Sequence, residues 1–575
     1  MPFNNRVRGT LPNLSGPLEA KPHTAVYKMH KYFARRPWNV FSELVARYSS
    51  PGEIILDPFS GGGVTVVEAL RLRRKAIGVD VNPLAIYVTE MEARPLEVEQ
   101  FTNALAIVAG NVRDRILSLY STQCPSCKSK AYADWIEWDE STHRIIRLKY
   151  VCSSCGKVGL KKASRQDAML AENIENGFSK EVIKSGLWYP EGEIPSGDKT
   201  NSLIRSGVAH FHQLFTKRNL LALAILFEEV DRRDILEGDF LRFAFSSSLK
   251  WVSRQSHLRG RIVEGWAMHA YWIYPKSLEI NVWNTFERRV RAIVRGKKYS
   301  NLEIGCFSKF ALTYDDLVGG GASCLLLNRS STHLPIPDNS VDAIVTDPPY
   351  GGNVNYGELS DFWWVWLQRR VVDKSHEAII NRTQRKSLLE YQMILASVFK
   401  ECFRVLKPGR VLVSTFNSRD ARVVSSFIIS AMAAGFKITG DEVSYQNPIK
   451  AYSTTIHAMQ VGAFVGDFLF TFKKQEAGRQ VINTLNREEL SGFENRLDRL
   501  ISKSVTGGMT EAQLRERAYR LLIPFIIRYS LTSPAICADA ANLFEKKIKK
   551  HASQLRRVRE SIVESRINAF KVAKS

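Results

Sequence analysis

At 575 residues the chain is long enough for about three or four domains, and 45% hydrophobic with 24% charged residues is the composition of a soluble protein with substantial cores. Lysine and arginine outnumber aspartate and glutamate 81 to 58, giving a net charge of +23 and a pI near 9.6, an excess that favours a polyanionic partner, most simply nucleic acid. The sequence has no apolar run of about 18 residues, no apolar h-region in Met1–Leu14, and eight cysteines of which four form two Cys-x-x-Cys pairs, so no membrane span and no secretory signal are expected, and a reducing cytoplasm is expected ahead of a disulfide framework.

The first elements lie between Ala25 and Pro83. His30-Lys31-Tyr32-Phe33-Ala34-Arg35-Arg36-Pro37-Trp38 leads into a helical pattern through Val40, Leu44 and Val45, with Pro37 at its start. Glu53-Ile54-Ile55-Leu56-Asp57-Pro58-Phe59-Ser60-Gly61-Gly62-Gly63 reads as an apolar strand running into a glycine turn, followed by a helix over Val64–Leu72. A second strand, Ala76–Asp80, ends in an acid, and Asn82-Pro83 opens another helix. Glycines permit positive φ and close approach of a ligand to the backbone, and an acid about 20 residues further on, at the end of the second strand, suits ribose hydroxyls. The pattern is neither Gly-x-Gly-x-x-Gly nor a phosphate loop with a lysine. It therefore suits a nucleoside cofactor without a pyrophosphate, for which S-adenosyl-L-methionine is the candidate.

From about Arg94 to Phe310 the pattern changes. Cys124-Pro125-Ser126-Cys127 and Cys152-Ser153-Ser154-Cys155 are separated by 24 residues, between which Ala131–Tyr150 alternates like a small β-ribbon. Four thiolates at this spacing match a tetrahedral structural zinc (Zn2+) site; a redox pair or metal-free thiols are the alternative. The rest of this segment is mainly helical. Arg254, His257, Arg259 and Arg261 form a basic cluster that either touches phosphates or is a solvated face.

A strand at Ser323–Asn328 precedes Val341-Asp342-Ala343-Ile344-Val345-Thr346-Asp347-Pro348-Pro349-Tyr350, an apolar strand that stops at an acid, two prolines and an aromatic ring. Prolines cannot continue a ladder, so a carboxylate, a rigid run of carbonyls and a flat ring are left at the carboxyl edge of a strand, where open α/β sheets bind ligands. Asp347 and the Pro348 carbonyl suit the two N–H bonds of an exocyclic amino group, with Tyr350 stacked on the base. The aromatic stretch Tyr356–Leu367 reads as a helix whose rings are mostly core. Helix Tyr391–Leu406, strand Arg410–Phe416, helix Val423–Ala433 and strands Lys437–Tyr445 and Phe464–Phe472 follow, the last two without an intervening helix. The expected fold is α/β, a doubly wound Rossmann-like sheet with an antiparallel hairpin edge. From about Lys474 the chain reads as helical, and its last 35 residues carry ten basic and three acidic side chains, a module for nucleic acid or a partner, or a solvated helix.

These motifs together resemble the amino-methylating DNA methyltransferases, which make N6-methyladenine or N4-methylcytosine. The likeness is nearest to the zinc-ribbon "adenine-specific DNA methylases" found with prokaryotic restriction and phage-defence genes, and it covers about Lys28–Lys474. The resemblance implies that His30, Lys31, Tyr32 and Phe33 line the methionine end of S-adenosyl-L-methionine. Asp57, Pro58, Phe59, Gly61 and Gly63 would hold its body, and Asp80 with Asn82 its ribose side. Asp347, Pro348, Pro349 and Tyr350 would be catalytic, and Cys124, Cys127, Cys152 and Cys155 would bind zinc. Two departures stand out: Asn328-Arg329-Ser330 replaces the usual acid near the cofactor adenine, and Gly63 replaces a Ser-Gly or Thr-Gly pairing.

The expected division is 1–96 and 311–475 for the two halves of a methyltransferase core, 97–310 for an insertion with the zinc ribbon at 120–160 and candidate recognition surfaces, and 476–575 for a basic helical module. The expected activity is methyl transfer to a flipped base in double-stranded DNA, adenine N6 before cytosine N4, in a restriction-modification or defence setting with possible further subunits. No cysteine stands in the Pro-Cys context of cytosine C5 methylation. An RNA amino-methyltransferase and an inactive scaffold of a defence complex are the competing readings.

Overall fold

The computed structural model describes residues 20–446, 466–475, 487–506 and 509–551, and it divides into two compact units. One unit contains residues 23–337 and 351–394; the other contains 338–350 and the described residues from 395 onward, with 20–22.

In the first unit, helix Trp38–Tyr48 starts directly after Pro37 and precedes strand β1 (Ile54–Asp57). The glycine turn leads into helix Val64–Arg71, then β2 (Lys75–Asp80), then helix Pro83–Ala93. That last helix has proline in its first turn, and the Asn82 side chain accepts the Leu84 N–H, the usual chemistry of a helix start.

Helix Val98–Ser118 leads to the cysteine-bearing sheet, β3 (Ser121–Gln123), β4 (Lys130–Asp139), β5 (Arg144–Val151) and β6 (Val158–Lys162), each antiparallel to its neighbour. Helices Arg165–Ser185, Lys217–Asp231 and Leu236–Val252 and the hairpin β7 (His257–Arg259)/β8 (Ile262–Glu264) follow. Strand β9 (Lys276–Ile280) then pairs with β4, so the ribbon is a five-stranded sheet rather than a local hairpin. Strand β4 is accordingly buried through its middle instead of alternating. Its acids are matched: Arg147 pairs with Glu137, and Arg288 and Lys149 with Asp134.

After helix Val282–Glu303 the chain returns through β10 (Phe310–Ala311) and β11 (Cys324–Asn328), and the order β10-β11-β2-β1 is parallel throughout. Every residue of β1 and the middle four of β2 are buried, as expected of parallel strands covered on both faces. Helix Tyr356–Gln368 belongs to the same unit, and its Trp363 and Trp366 are core residues packed on Trp266, Phe215, Phe227 and Phe245. Burying rings of this size contributes roughly 1.5–3 kcal/mol each.

In the second unit β12 (Ala343–Thr346) pairs in parallel with β13 (Val411–Phe416), β13 pairs antiparallel with β15 (Asp467–Lys473), and β15 antiparallel with β14 (Val443–Gln446). The expected antiparallel edge is therefore present. Val341 lies just before β12, joined to Leu406 by an isolated bridge, because Asp342 is turned to Lys407 and Arg410. Helix Ala421–Ala433 follows β13, and helices Arg487–Thr506, Glu511–Tyr529 and 534–551 form the C-terminal part. Tyr519 donates to the Ser418 carbonyl, and Arg515 bridges the Arg419 carbonyl and Glu545, which also accepts the Ala421 N–H. Most of the basic tail, 552–575, lies outside the described residues. No described helix is long and apolar enough to cross a membrane.

Candidate active site

The glycine turn between β1 and its helix is built for a close approach. Gly61 and Gly63 have φ of +48° and +73°, and a Cβ on Gly63 would stand 2.4 Å from Thr89 Oγ1. The Gly61 N–H donates to Asp80 Oδ2 and the Asn82 N–H to Oδ1, each at 2.8 Å. The turn and the end of β2 are thereby fastened by one carboxylate. Each oxygen retains acceptor capacity, since a carboxylate has about four lone-pair sites. Burial, the largest influence, pushes the Asp80 carboxyl up to about 6 despite the two N–H donors that lower it, with nearby Asp57 raising it further. This donor and acceptor set fits a nucleoside with free ribose hydroxyls.

Around the turn, each expected residue has a definite place. Asp57 Oδ1 accepts the Phe59 N–H at 3.2 Å, the Pro58 carbonyl accepts Ser331 Oγ at 2.7 Å, and the Phe59 ring is half-buried. Asn82 is buried, and its amide donates to Ser360 Oγ at 2.8 Å and to the Tyr32 hydroxyl at 3.4 Å. Tyr32 stacks on Tyr356 at 5.9 Å, and the Cβ position of Gly61 is 3.4 Å from its ring. Phe33 packs on Trp266, His269 and Trp363, with the Lys31 ammonium 4.9 Å from its centroid. Burial and the Arg35 charge lower Lys31 to about 8. His30 stacks on Phe243, and its ring nitrogens meet the Lys31 carbonyl at 2.8 Å and Ser246 Oγ at 3.0 Å. Burial drops it to about 3, so it is a neutral, fully engaged ring that sets the path of the Lys31–Phe33 segment.

Arg35 is a residue whose role sequence reasoning missed, although it lies inside the quoted motif. Its Nη1 donates to the Gly62 carbonyl and to Glu92, both at 2.7 Å, in a pair that is almost wholly buried. It is a second tie on the glycine turn, at Gly62 where Asp80 holds Gly61. Lys297 is another: fully buried, it donates to the Glu92 and Arg94 carbonyls at the end of helix Pro83–Ala93. Asn328 occupies the position of the missing acid and donates its amide to the Asp80 and Val81 carbonyls at 3.0 and 3.2 Å. Its amide is thus spent on joining β11 to the end of β2.

In the other unit, Asp347 leaves β12 one residue past the strand. The register pairs Thr346 with Ser414, and the next residue along, Thr415, donates its hydroxyl to Asp347 Oδ1 at 2.6 Å. The Tyr350 hydroxyl donates to the same oxygen, and the Tyr350 ring lies edge-on to Phe416 at 4.9 Å. Pro348 and Pro349 hold the intervening backbone. Thr415, which no sequence signal marks, orients the acid.

The four cysteines converge. Their sulfurs lie within 4.8 Å of one another, with Cys124–Cys155 and Cys127–Cys152 separations of 3.7 and 3.6 Å. Tetrahedral zinc with Zn–S of about 2.3 Å requires sulfurs about 3.8 Å apart, so the set fits a structural ion. In the basic cluster after Trp251, Arg254 pairs with Glu140 and donates to the Gln213 carbonyl, His257 stacks on Tyr274, and Arg259 faces Glu264. Arg259 and Arg261 remain exposed.

A family model described as DNA methylase, of the N6/N4 methyltransferases, matches residues 10–91. Type II methyltransferase M.MjaII of Methanocaldococcus jannaschii is 25% identical over 349 residues, 58% of this chain and 60% of that protein. Type II methyltransferase M.MvaI of Kocuria varians is 22% identical over 343 residues, 58% of this chain and 55% of that protein. The chain thus spans less than two thirds of the length of each of these relatives. The glycine turn with its acid falls within the matched segment, and the chain is related to the amino-methylating DNA methyltransferases.

Proposed function

We propose that the protein is an S-adenosyl-L-methionine-dependent DNA methyltransferase acting on the exocyclic amino group of a flipped base, adenine N6 in preference to cytosine N4. The observation that carries the reading is Asp347, fixed by Thr415 at the exit of β12 and followed by two prolines and Tyr350. The two sheet halves would form one doubly wound Rossmann-like core from 1–96 and 311–475, with 97–310 as the recognition insertion and 476–575 as an accessory helical module. The substrate would be double-stranded DNA, and the setting restriction-modification or phage defence.

S-Adenosyl-L-methionine supplies an electrophilic methyl group on a sulfonium. Asp80 would accept the ribose hydroxyls, the glycine turn would let the cofactor lie against the backbone, and Phe59 would cover it. Asp347 and the Pro348 carbonyl would accept the two amino hydrogens, drawing the nitrogen lone pair out of ring conjugation, while Tyr350 stacks on the base. Asp347 would then hold the proton shed as the new N–C bond forms. Positioning is the main lever, since well-aligned groups are worth roughly 7–11 kcal/mol. Methyl transfer from labelled cofactor to unmethylated duplex DNA, followed by nucleoside analysis, tests this. N6-methyladenine is expected; label in RNA alone would reject it.

Cofactor affinity should depend on pH through Asp80. Hydroxyl donors require the ionised carboxylate, so binding is expected to be constant above about pH 7 and to weaken up to tenfold per unit below about 6, and Asp80→Asn should flatten this profile. The sign separates this from unfolding. A carboxyl whose folded pKa is raised adds stability at acid pH, and that contribution is lost as pH rises through about 6. Calorimetric titration of the cofactor across this range, with Tm measured alongside, checks both trends.

A further inference from the structure

We infer that the loop 378–387, together with residues 196–205, forms a ledge that grips the phosphate backbone of duplex DNA. The inference rests on the proposed DNA-methylating function and adds a surface that joins residues 196–205 of the insertion to the loop 378–387, apart from the cysteine cluster and the C-terminal helices. The two segments are stitched into one body by polar groups turned inward. The carboxylate of Glu358 is buried: Oε1 accepts from Asn355 and Asn381, and Oε2 accepts the Lys199 N–H at 2.8 Å. Asp198 accepts the Arg382 and Thr383 N–H groups and the Thr383 hydroxyl.

What remains outward is cationic. The two segments contain five basic residues, Lys199, Arg205, Arg382, Arg385 and Lys386, of which Lys386 is turned to the Lys374 and Glu377 carbonyls, and one acid, Asp198, whose oxygens are engaged as above. Arg205, Arg382 and Arg385 are exposed, and none of the three has an ion-pair partner among the described residues. Arg385 is held at a φ of +56° within a turn closed by the Asn381–Lys386 bridge. The nearby exposed acids are also engaged: Asp373 accepts the Ser375 N–H, and Glu390 accepts the Ser387 N–H and hydroxyl. A loop whose acids are engaged and whose arginines project unpaired has the character of a phosphate-binding surface.

The ledge is also tied to the chain directly after the catalytic motif. Lys199 Nζ donates to the Gly352 carbonyl at 3.4 Å, and a Cβ on Gly352 would stand 2.7 Å from the Ile380 carbonyl. Gly351 and Gly352 follow Tyr350 directly in the chain. Glu358 acts as a positioning residue for this surface.

The test uses the full-length protein, a short unmethylated DNA duplex and a salt series. For Arg382→Gln/Arg385→Gln, the slope of log K against log salt should fall by about 2, the KM for DNA should rise about 10–100-fold, and kcat and cofactor affinity should be unchanged. Glu358→Ala should raise the KM similarly, with Glu358→Gln restoring part of it. If the wild-type protein binds DNA with a steep salt dependence and the arginine variant keeps that slope, the ledge is disproved while the methyltransferase reading stands. If the wild-type protein neither binds nor methylates DNA, it is the functional reading that fails.

Discussion

Asp347→Ala is expected to abolish methyl transfer while leaving cofactor affinity within about twofold, because in the proposed site the acid would hold the base while Asp80 and the glycine turn would hold the cofactor. Removing one preorganised charge-assisted contact at a reacting centre costs on the order of 10²–10³-fold in kcat, and more where the same group also positions the nucleophile. Asp347→Asn is the sharper variant. It preserves an oxygen for the Thr415 and Tyr350 hydroxyls but turns an amide donor towards the two amino hydrogens that must be accepted. Both variants should therefore fail, and Thr415→Val should lose less, since Tyr350 still restrains the carboxylate. Single-turnover methylation with calorimetric cofactor titration checks the set. Normal turnover by either Asp347 variant would remove the residue from the site.

We propose that the four cysteines hold zinc; its removal by chelation, or Cys152→Ser, is then expected to lower Tm sharply and to weaken the proposed cofactor site as well. Structural zinc is worth about 10–16 kcal/mol of apparent binding energy in small domains, and that energy is available to folding. The second effect follows from connectivity. Strand β4 runs on from the first cysteine pair, pairs with β9, and its neighbours cap the next helix: Asn281 donates to the Ala133 carbonyl and Arg288 pairs with Asp134. From that helix, Val282–Glu303, Arg289 holds the Lys28 and Met29 carbonyls beside His30, and Lys297 holds the Glu92 and Arg94 carbonyls. Loss of the ion should therefore be felt at the segment Lys31–Phe33 and at the Arg35–Glu92 clamp. Metal analysis of one zinc per chain, with Tm and cofactor affinity before and after chelation, is the measurement. A zinc-free protein with full cofactor affinity would show the ribbon to be energetically separate.

Much of both half-sites could be read from residue order because their chemistry is local. A glycine turn between two apolar strands, an acid at the second strand's end and Asp-Pro-Pro-Tyr after a third are each confined to a few neighbouring residues, where φ preferences and missing N–H groups act directly. The cysteine cluster was legible for the same reason, as its two knuckles need only the spacing within each pair. Tertiary structure decided what the side chains inside these motifs do. His30 became a buried neutral ring because Phe243 and Ser246, more than 200 residues away, close around it. Arg35 became a clamp because Glu92 lies across the turn, and Thr415 became the orienter of Asp347 because the β12–β13 register sets it there. The fifth ribbon strand, the ion pairs of the Arg254 cluster and the outward arginines of the 378–387 loop share that origin. Burial and pairing between residues distant in sequence are set by which surfaces the whole chain brings together, and no local pattern encodes them.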